Sequence, residues 1–470
     1  MGYVGSFSLR AERNKTMQHN QSKISMNSLS NLCEEFKKNN YIAPDDFKKY
    51  DVKRGLRNAD GSGVMAGLTR ICNVHGYMHS DGERVPDEGR LVYRGINVKD
   101  IIEGCQKENR FGFEEVAWLL LFGELPTKEQ LAGFCEVLGE SRELPEFFAE
   151  DMILKAPSPH VMNKMARSVL ALYSYDYNPD NTSIPNVLRQ SIELIAQLPT
   201  IMNYAYQVKR RSYDHQSMFF HPIDPSFSTA ESILTSMRAD RQFTDEEAKL
   251  LDICMILHAD HGGGNNSTFT TRVLSSSGTD TYSAIAAAIG SVKGPLHGGA
   301  NAKCAEMLGY LREGINDPEN DQEVKEFLRA ILRKEKGDGS GKIYGMGHAI
   351  YTLSDPRAII LRENARDLCH KKGLGRDFTI MEQVERLTPE VFREVKGSDK
   401  PMCANVDCYS GLVYRALGIP EDMFTPLFAV SRIAGWCAHR IEELQSGGRI
   451  IRPAYRAIHA KKQYTPMEER

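Results

Sequence analysis

Four short polar segments hold the side chains of this chain that are best suited to chemistry. They are HADHGGGN at 258–265, GPLHGG at 294–299, GMGHAIYTLSDPR at 345–357 and NVDCYSG at 405–411. Together they supply four histidines, three aspartates and several glycines that let a substrate approach the backbone closely. Because histidines and carboxylates exchange protons near neutral pH, this set is suited to moving a carbon-bound proton.

Three of the histidines stand out because glycine lies beside them. A single histidine is more often a core or surface residue with ordinary partners, but His261, His297 and His348 occur together in these segments. A carboxylate can act with them once burial raises its affinity for a proton. The residues therefore favour general acid–base catalysis.

Two other kinds of site receive less support from the spacing of residues. Gly341-Lys342 lacks the flanking residues of a phosphate-binding loop. His258 and His261 with Asp260 leave a metal site open as an alternative, but the sequence places no further ligand. We therefore expect neither a nucleotide-binding loop nor a metal.

Three arginines suggest the charge of the substrate. Arg357 lies in SDPR, Arg432 in FAVSRIAGW and Arg452 before a proline. A guanidinium binds a carboxylate through two parallel hydrogen bonds, so a trio of arginines suits a di- or tricarboxylate. A surface salt bridge is the commoner use of any one arginine, and spacing alone leaves both interpretations open.

The elements that would position these residues are mostly helices. Phe113 begins a pattern of two helices broken near Gly123, and apolar residues recur every three or four positions over 187–206 and 246–257. Small residues over 282–289 predict a tightly packed helix. Turn residues in the polar stretch from Lys53 to Ile96 predict short hairpins, and nothing predicts a large sheet.

Length and composition bound the architecture. The 470 residues, with 41% hydrophobic and 26% charged side chains, suggest a globular protein of two domains. Charged residues and glycines become more frequent between Gly309 and Asp399, where polar stretches are expected to separate shorter helices, and this indicates a smaller second unit. The active groups would then line a closable cleft between two bodies. Residues 1–27 weakly resemble an organelle presequence, but a flexible leader is expected instead, because disordered termini are common and no amphipathic arginine stripe is present.

Charge and hydropathy limit the partners. Fifty-nine basic residues nearly balance 62 acidic ones, so nothing favours nucleic acid or an anionic membrane, and the longest apolar run, Val116 to Phe122, is too short for a membrane span. Ten scattered cysteines without a CxxC pair favour reduced thiols inside a cell. We therefore expect a cytoplasmic protein whose partner is a small molecule.

The polar segments also resemble those of a known family. GPLHGGAN, GHAIYTLSDPR, NVDCYSG and VSRIAGW are similar, in this order, to signatures of the citrate synthase family, and the resemblance spans about residues 54–456. It implies an all-α homodimer with a short N-terminal β-hairpin region. Each subunit would have a large helical domain, 28–297 with 408–470, and a small helical domain, 298–407.

The resemblance also implies a reaction and three catalytic roles. The family condenses acetyl-CoA with oxaloacetate and water to give citrate and CoA, with the coenzyme A thioester as substrate and no further cofactor. Asp407 would remove a methyl proton from acetyl-CoA, and His297 would bind the thioester oxygen. His348 would polarise the keto oxygen of oxaloacetate and protonate the new alkoxide.

Binding roles follow from the same resemblance. His261, Arg357 and Arg432 match positions that hold the substrate carboxylates, and Arg452 matches one that completes the site of the partner subunit. Arg54 and Lys342 are the candidates for coenzyme A phosphate. Two alternatives stay open: a 2-methylcitrate synthase that uses propionyl-CoA with the same catalytic residues, and a catalytically silent sensor of CoA or a metabolite.

Overall fold

The computed structural model describes residues 25–80 and 83–470, so most of the predicted leader lies outside the described residues. These residues belong to two compact units, which meet in sequence between Val64 and Met65. The described part of the first unit contains helices α1 (Met26–Asn39) and α2 (Pro44–Lys49). Ser25 caps α1 by accepting the Ser28 N–H at 3.1 Å.

The second unit is mostly helical, which confirms the predicted fold class. Its helices are α3 (Val98–Lys107), α4 (Phe113–Phe122), α5 (Lys128–Glu140), α6 (Val161–Leu172), α7 (Ile184–Ser212), α8 (Thr229–Met237), α9 (Asp245–His258), α10 (Asn266–Ser276), α11 (Thr281–Lys293), α12 (Ala300–Gly314), α13 (Asp321–Leu332), α14 (Pro356–Lys371), α15 (Gly375–Lys396), α16 (Asp407–Ala416) and α17 (Phe424–Gln445). Among the described residues, no helix combines the length and the apolar character needed to cross a membrane.

One small antiparallel sheet precedes these helices, as the turn-rich segment predicted. Its strands are β1 (Cys72–Ser80), β2 (Glu83–Tyr93) and β3 (Ile96–Asn97), in the order β1-β2-β3. Cys72 pairs with Tyr93 at the base of the hairpin, and the register shifts between His75 and Tyr77. With nine and eleven residues, β1 and β2 are longer than the short hairpins that the sequence predicted.

Most of the predicted helices are confirmed, and α7 shows why one was predicted too short. The break after α4, α9 and α11 lie where apolar periodicity placed them. Helix α7 extends beyond 187–206 at both ends, through polar residues that are nonetheless buried, such as Asn186 and Gln207. Asn186 donates to the carbonyls of Asn178 and Asn181 at 3.0 and 2.8 Å, and these bonds offset the cost of its burial. Buried polar residues of this kind interrupt the apolar pattern without ending the helix.

Helix α17 lies in the middle of the second unit. It packs against α4, α7, α9, α10 and α11, and it is buried along most of its length. Trp436, Arg432 and Arg440 are among the largest fully buried side chains of the described residues. A helix buried on all sides must satisfy its polar groups within the protein, so the arginines of α17 call for partners.

The segment predicted as the small domain contains α12 to α15. The polar stretches predicted to separate its helices do so: Asn320 caps α13 and Gly397 ends α15. Helix α15 has 22 residues and is not one of the shorter helices expected there. It packs against α12, α13, α14 and α16. The proposed division at 298 and 407 stays a prediction.

Candidate active site

One face of α17 carries polar and aromatic side chains toward the predicted site. Phe428, Arg432, Gly435 and His439 follow each other at intervals of three or four residues, which places them along one side of the helix. The segment after α9 lies against this face, and the Gly435 N–H donates to the Ala259 carbonyl at 3.2 Å. A Cβ at Gly435 would lie 2.4 Å from Asp260 Oδ1, so only glycine allows this approach.

Arg432 is the most informative residue of this face. Its side chain is 0% exposed, and its Nε donates to the His258 carbonyl at 2.6 Å. Among the described residues neither Nη1 nor Nη2 has a hydrogen-bond partner, and burial lowers the pKa of the guanidinium. A buried cation with unpaired donors is costly unless an anion joins it. This guanidinium is therefore arranged to receive a carboxylate.

Arg357 is held in a different way. It is the second residue of α14, and Asp355 caps the same helix by accepting the Arg357 N–H at 3.0 Å. Asp355 also accepts from Arg357 Nε and Nη2, at 3.0 and 2.7 Å. Burial opposes the charged form, but the Asp355 carboxylate outweighs it and raises the pKa of Arg357. Arg357 is thus a fixed cation with part of its hydrogen-bonding capacity already used.

A cluster of rings lies beside these arginines. The His261 ring is 5.2 Å from the His348 ring and 5.6 Å from the Tyr351 ring, between ring centres. Tyr351 stacks on His348 at 4.7 Å and lies 5.6 Å from the Arg357 guanidinium. His261 Nε2 is buried without a partner. Burial, with the nearby cations of Arg357 and Arg432, lowers the pKa of His261 well below its ordinary value, so this imidazole is neutral at neutral pH.

Hydrogen bonds fix the tautomer of His348. Its Nδ1 accepts the N–H groups of Ile350 and Tyr351, both at 3.1 Å. When the ring is neutral, its proton must therefore lie on Nε2. His348 is thus prepared to donate a hydrogen bond from that nitrogen.

A short antiparallel bridge brings the His348 loop to the start of α16. Met346 pairs with Ala404, the Gly347 N–H donates to the Cys403 carbonyl at 2.8 Å, and the Asn405 N–H donates to Gly345 at 2.9 Å. Gly345 has φ +79°, and a Cβ there would lie 2.9 Å from Cys408 Cα. Both facts require glycine. The bridge links two of the four polar segments directly.

Asp407 is the first residue of α16 and lies just beyond this bridge. Its N–H donates to Asn405 Oδ1 at 3.0 Å. Burial raises the pKa of Asp407 to about 6; Arg357 opposes that shift and Asp355 adds to it. A carboxylate with a pKa near 6 is a stronger base than an ordinary aspartate, yet it is still mostly ionised at neutral pH.

His297 lies in the turn between α11 and α12. Burial, with a smaller effect of Arg432, lowers the pKa of His297 to about 4. Its ring meets Phe428 edge-on at 5.7 Å, and its Nε2 lies 3.1 Å from Ser267 Oγ. The Ser267 hydroxyl accepts from Trp436 Nε1 at 3.1 Å and is 2.9 Å from Asn265 Oδ1. Its single hydrogen therefore has two acceptors within reach, Asn265 Oδ1 and His297 Nε2.

The hairpin packs on the segment that follows His348. A Cβ at Gly89 would lie 2.1 Å from the Ser354 carbonyl oxygen, and a Cβ at Gly76 would lie 2.8 Å from that of Ile350. The Gly89 N–H donates to Ser354 Oγ at 3.0 Å. The two glycines thus let the strands lie directly on the backbone on both sides of Tyr351.

The structure brings six of the nine predicted residues into one neighbourhood. His261, His297, His348, Arg357, Arg432 and Asp407 form it through the contacts and charge interactions above. Arg452 is exposed after α17, and within the described residues no hydrogen bond or ion pair ties it to them.

The two residues predicted for coenzyme A are both exposed. Arg54 belongs to the first unit, where its guanidinium lies 5.1 Å from the Phe47 ring. Lys342 is exposed, and its N–H donates to Ser340 Oγ at 3.2 Å.

Sequence reasoning missed several supporting residues. Asp355, Tyr351, Ser267 and Phe428 each contact a predicted site residue, but none was singled out. For Asp355 a signal existed: an aspartate before a proline is a typical helix start, and it lies two residues before Arg357.

Of the residues in the metal alternative, His258 and one Asp260 oxygen already have partners, whereas Asp260 Oδ1 and His261 Nε2 have none within the described residues. The His258 Nδ1–H donates to the Cys254 carbonyl at 2.8 Å, and burial lowers the pKa of His258 to about 3. Asp260 accepts the Gly262 N–H at 2.8 Å. In residues 25–80 and 83–470, no cluster of three or more histidine, cysteine or acidic side chains could hold a metal ion.

Comparison with known proteins gives consistent matches over most of the chain. Residues 59–454 match the model of the family described as citrate synthase, C-terminal domain. A citrate synthase of Synechocystis is 35% identical over 415 residues, which cover 87% of this chain and 93% of that protein. The 2-methylcitrate synthase 1 of Corynebacterium glutamicum is 31% identical over 422 residues, 89% of this chain and 98% of that protein.

A solved structure shows the same fold. It is the ternary complex of carboxymethyl coenzyme A and oxaloacetate with the citrate synthase of Thermoplasma acidophilum, with a TM-score of 0.71 and 29% identity. The match covers 89% of this chain and 99% of that chain. Extensive likeness in both sequence and fold leaves little of the chain without a counterpart.

Proposed function

The chain belongs to the citrate synthase family of condensing acyltransferases, and on that basis we propose that it condenses acetyl-CoA with oxaloacetate and water to release citrate and CoA. The observation that carries the proposal is the buried Arg432 guanidinium, whose Nη1 and Nη2 are unpaired. A dicarboxylate would supply the missing acceptors and neutralise the charge.

Oxaloacetate would bind between the two arginines and the ring cluster. Arg432 would pair with one carboxylate, and Arg357, already oriented by Asp355, would contribute charge from the α14 side. The unpaired Nε2 of His261 would donate to the substrate when it carries the proton of the neutral ring. Three fixed donors around one small anion favour a keto diacid over a larger ligand.

The acid–base groups would then act on the thioester. Asp407 would take a proton from the acetyl methyl group while His297 donates a hydrogen bond to the thioester oxygen, because a carboxylate alone is too weak a base for that C–H. The resulting enol carbon would attack the keto carbon of oxaloacetate, and His348 Nε2–H would protonate the alkoxide. Water would then hydrolyse the citryl thioester and release CoA.

The low pKa of His297 supports this role. A neutral imidazole donates one hydrogen bond without carrying charge into the buried site. If Nδ1 is the donor, Nε2 must accept, and Ser267 must then turn its hydroxyl hydrogen from Asn265 to His297. That rotation breaks one hydrogen bond and makes another.

The remaining assignments concern the partner subunit and coenzyme A. In a homodimer, Arg452 of the partner subunit would complete each site, which agrees with its exposure and with the lack, in the described part of the chain, of a hydrogen bond or ion pair from it to the site. Arg54 and Lys342 would contact coenzyme A phosphate, and Lys342 is exposed in the loop that leads to His348. No further cofactor takes part, since the coenzyme A thioester is itself a substrate.

The test is CoA thiol release by the purified protein, with oxaloacetate and either acetyl-CoA or propionyl-CoA. We expect kcat/KM to favour acetyl-CoA by about tenfold or more, the scale on which one methylene is discriminated. A preference for propionyl-CoA would assign the chain to 2-methylcitrate synthesis, the activity named for the Corynebacterium relative. Release from neither thioester would contradict both and favour a silent sensor.

A further inference from the structure

A network of buried polar side chains links Arg272, His439 and Asp260 next to Arg432 of α17. Arg272 of α10 donates from Nε and Nη2 to His439 Nδ1, at 3.1 and 2.7 Å. Because a guanidinium only donates hydrogen bonds, His439 Nδ1 must accept and the imidazole proton must lie on Nε2. The arginine thus fixes the tautomer of a fully buried histidine.

The fixed His439 proton is directed at Asp260. His439 Nε2 lies 3.3 Å from Asp260 Oδ2, which also accepts the Gly262 N–H at 2.8 Å. Asp260 is fully buried. Burial alone would raise its pKa, but the hydrogen bonds from His439 and Gly262 and the positive charge of Arg432 lower it, so this carboxylate stays ionised.

Asp260 is the buried anion beside the substrate-binding cation. It lies against Gly435, one turn after Arg432 on the same helix, and its negative charge favours the charged form of Arg432. The two groups do not form an ion pair, and Arg432 Nη1 and Nη2 stay unpaired. Asp260 therefore supplies counter-charge without using the donors that a substrate carboxylate needs.

The outer end of the network is also paired. Arg272 Nη1 donates to Glu443 at 2.9 Å, and Nη2 contacts Glu442 as well. Glu442 accepts the Arg70 N–H at 2.8 Å. Every charged member thus has an opposite charge beside it, from the two glutamates near the surface to Arg432 inside.

We propose that His439 is a positioning residue that sets the affinity for oxaloacetate through Asp260 and Arg432. This inference rests on the proposed function, because it assigns the Arg432 guanidinium to that substrate. Without the Nε2–H of His439, Asp260 would lose a hydrogen bond, turn toward Arg432 and take up the free donors. Substrate would then have to break this new pair before it could bind.

Two substitutions at one position separate chemistry from packing. In His439→Gln, the amide oxygen can accept from Arg272 and the amide NH2 can donate to Asp260. In His439→Leu, neither bond can form, although an apolar side chain fills the space. We expect His439→Leu to weaken oxaloacetate binding by roughly tenfold or more, the scale of one hydrogen bond to a charged group.

His439→Leu should change one measured quantity and leave two others nearly unchanged. The dissociation constant of oxaloacetate from calorimetry should rise in His439→Leu, while kcat at saturating oxaloacetate and the KM for acetyl-CoA change by less than about threefold. His439→Gln should stay within about threefold of the wild-type value for all three quantities. Unchanged oxaloacetate affinity in His439→Leu, or equal losses in both variants, would overturn the proposal.

Arg272→Met tests the same link without changing the histidine. Once Nδ1 is no longer held as an acceptor, the imidazole can change tautomer, so oxaloacetate binding should weaken in the same direction. This variant also decides the matter if His439→Leu does not fold, since unchanged affinity in a folded Arg272→Met would refute the link. Failure of the wild-type protein to bind oxaloacetate would instead refute the proposed function itself.

Discussion

Arg432 and His348 face the same site, but the protein holds them by different means. Arg432 lies in the middle of α17, a helix buried on nearly all sides, and hydrogen bonds and packing fix its surroundings. His348 lies in the long loop between α13 and α14. That loop is held by a backbone bridge to 403–405 and by the hairpin strands.

Under the proposed function, the difference separates substrate binding from proton transfer. A buried guanidinium with unpaired donors is unfavourable, so it can be maintained only where the rest of the fold supplies enough stability. Loops held by a few backbone hydrogen bonds adjust at lower cost, and under the proposed function His348, which must follow a changing substrate, lies in such a loop. Changes in α17 should therefore alter substrate affinity most, whereas changes around the loop should alter turnover most.

The largest effect is expected for Asp407→Asn. The amide keeps the shape of the side chain but cannot accept the methyl proton, so kcat should fall by roughly 10³-fold or more. Oxaloacetate affinity should stay within about threefold, because the arginines are untouched. Steady-state kinetics and calorimetry measure the two effects, and near-normal turnover would remove Asp407 from the role of base.

Arg432→Gln should change substrate binding more than turnover. The dissociation constant of oxaloacetate should rise by about 100-fold or more, because one partner of a buried charge pair is lost. The value of kcat at saturating oxaloacetate should fall by much less. Binding calorimetry is the decisive measurement, and an affinity loss below about threefold would contradict the placement of a carboxylate at Arg432.

Turnover and oxaloacetate affinity should also respond differently to pH. Asp407 acts as a base only when it is ionised, so kcat/KM for the thioester should fall about tenfold per unit as the pH drops below about 6. Oxaloacetate affinity should stay nearly constant between pH 5 and 8, because the arginines do not titrate there and the pKa of His261 is lowered out of that range. A parallel loss of oxaloacetate affinity and turnover at low pH would contradict the separation of substrate binding from proton transfer.

A matched pair of glycine substitutions gives the smallest effects. Gly345→Ala strains the loop through its positive φ and its contact with Cys408, so kcat should drop by roughly tenfold with little change in oxaloacetate affinity. Gly435→Ala would push α17 away from Asp260, so affinity should drop by a similar factor. Kinetics and calorimetry on both variants test the assignment, and the reverse pattern would contradict it.

Periodicity and motif chemistry predicted much of this arrangement. The helix pattern around Gly123 gave α4 and α5, and the polar segments identified the residues now seen around His261, Arg357 and Arg432. The partners of those residues could not be predicted in the same way. The 346–404 bridge is a single pair of residues with no repeating pattern, and Gly76 and Gly89 read as ordinary turn residues although they lie against a loop far away in sequence.

Two further predictions depend on properties that no pattern within one chain contains. The role of Arg452 depends on how two copies associate, and the acyl preference depends on the shape of a small pocket. The lack of acceptors for the buried Arg432 guanidinium, in contrast, is a property of a single folded chain. The sequence does not show it, because it depends on which groups surround the side chain.

The spacing of residues along α17 also restricts which insertions and deletions the protein can tolerate. Each residue of an α-helix advances the side chains by about 100°, so a one-residue insertion or deletion between Phe428 and His439 would turn half of the stripe away from the site. The Phe428 ring beside His297, the Arg432 guanidinium, the close contact at Gly435 and the His439 ring beside Asp260 would lose their alignment together. Point substitutions can therefore accumulate on the other sides of α17, while related proteins should keep the spacing of these four positions fixed.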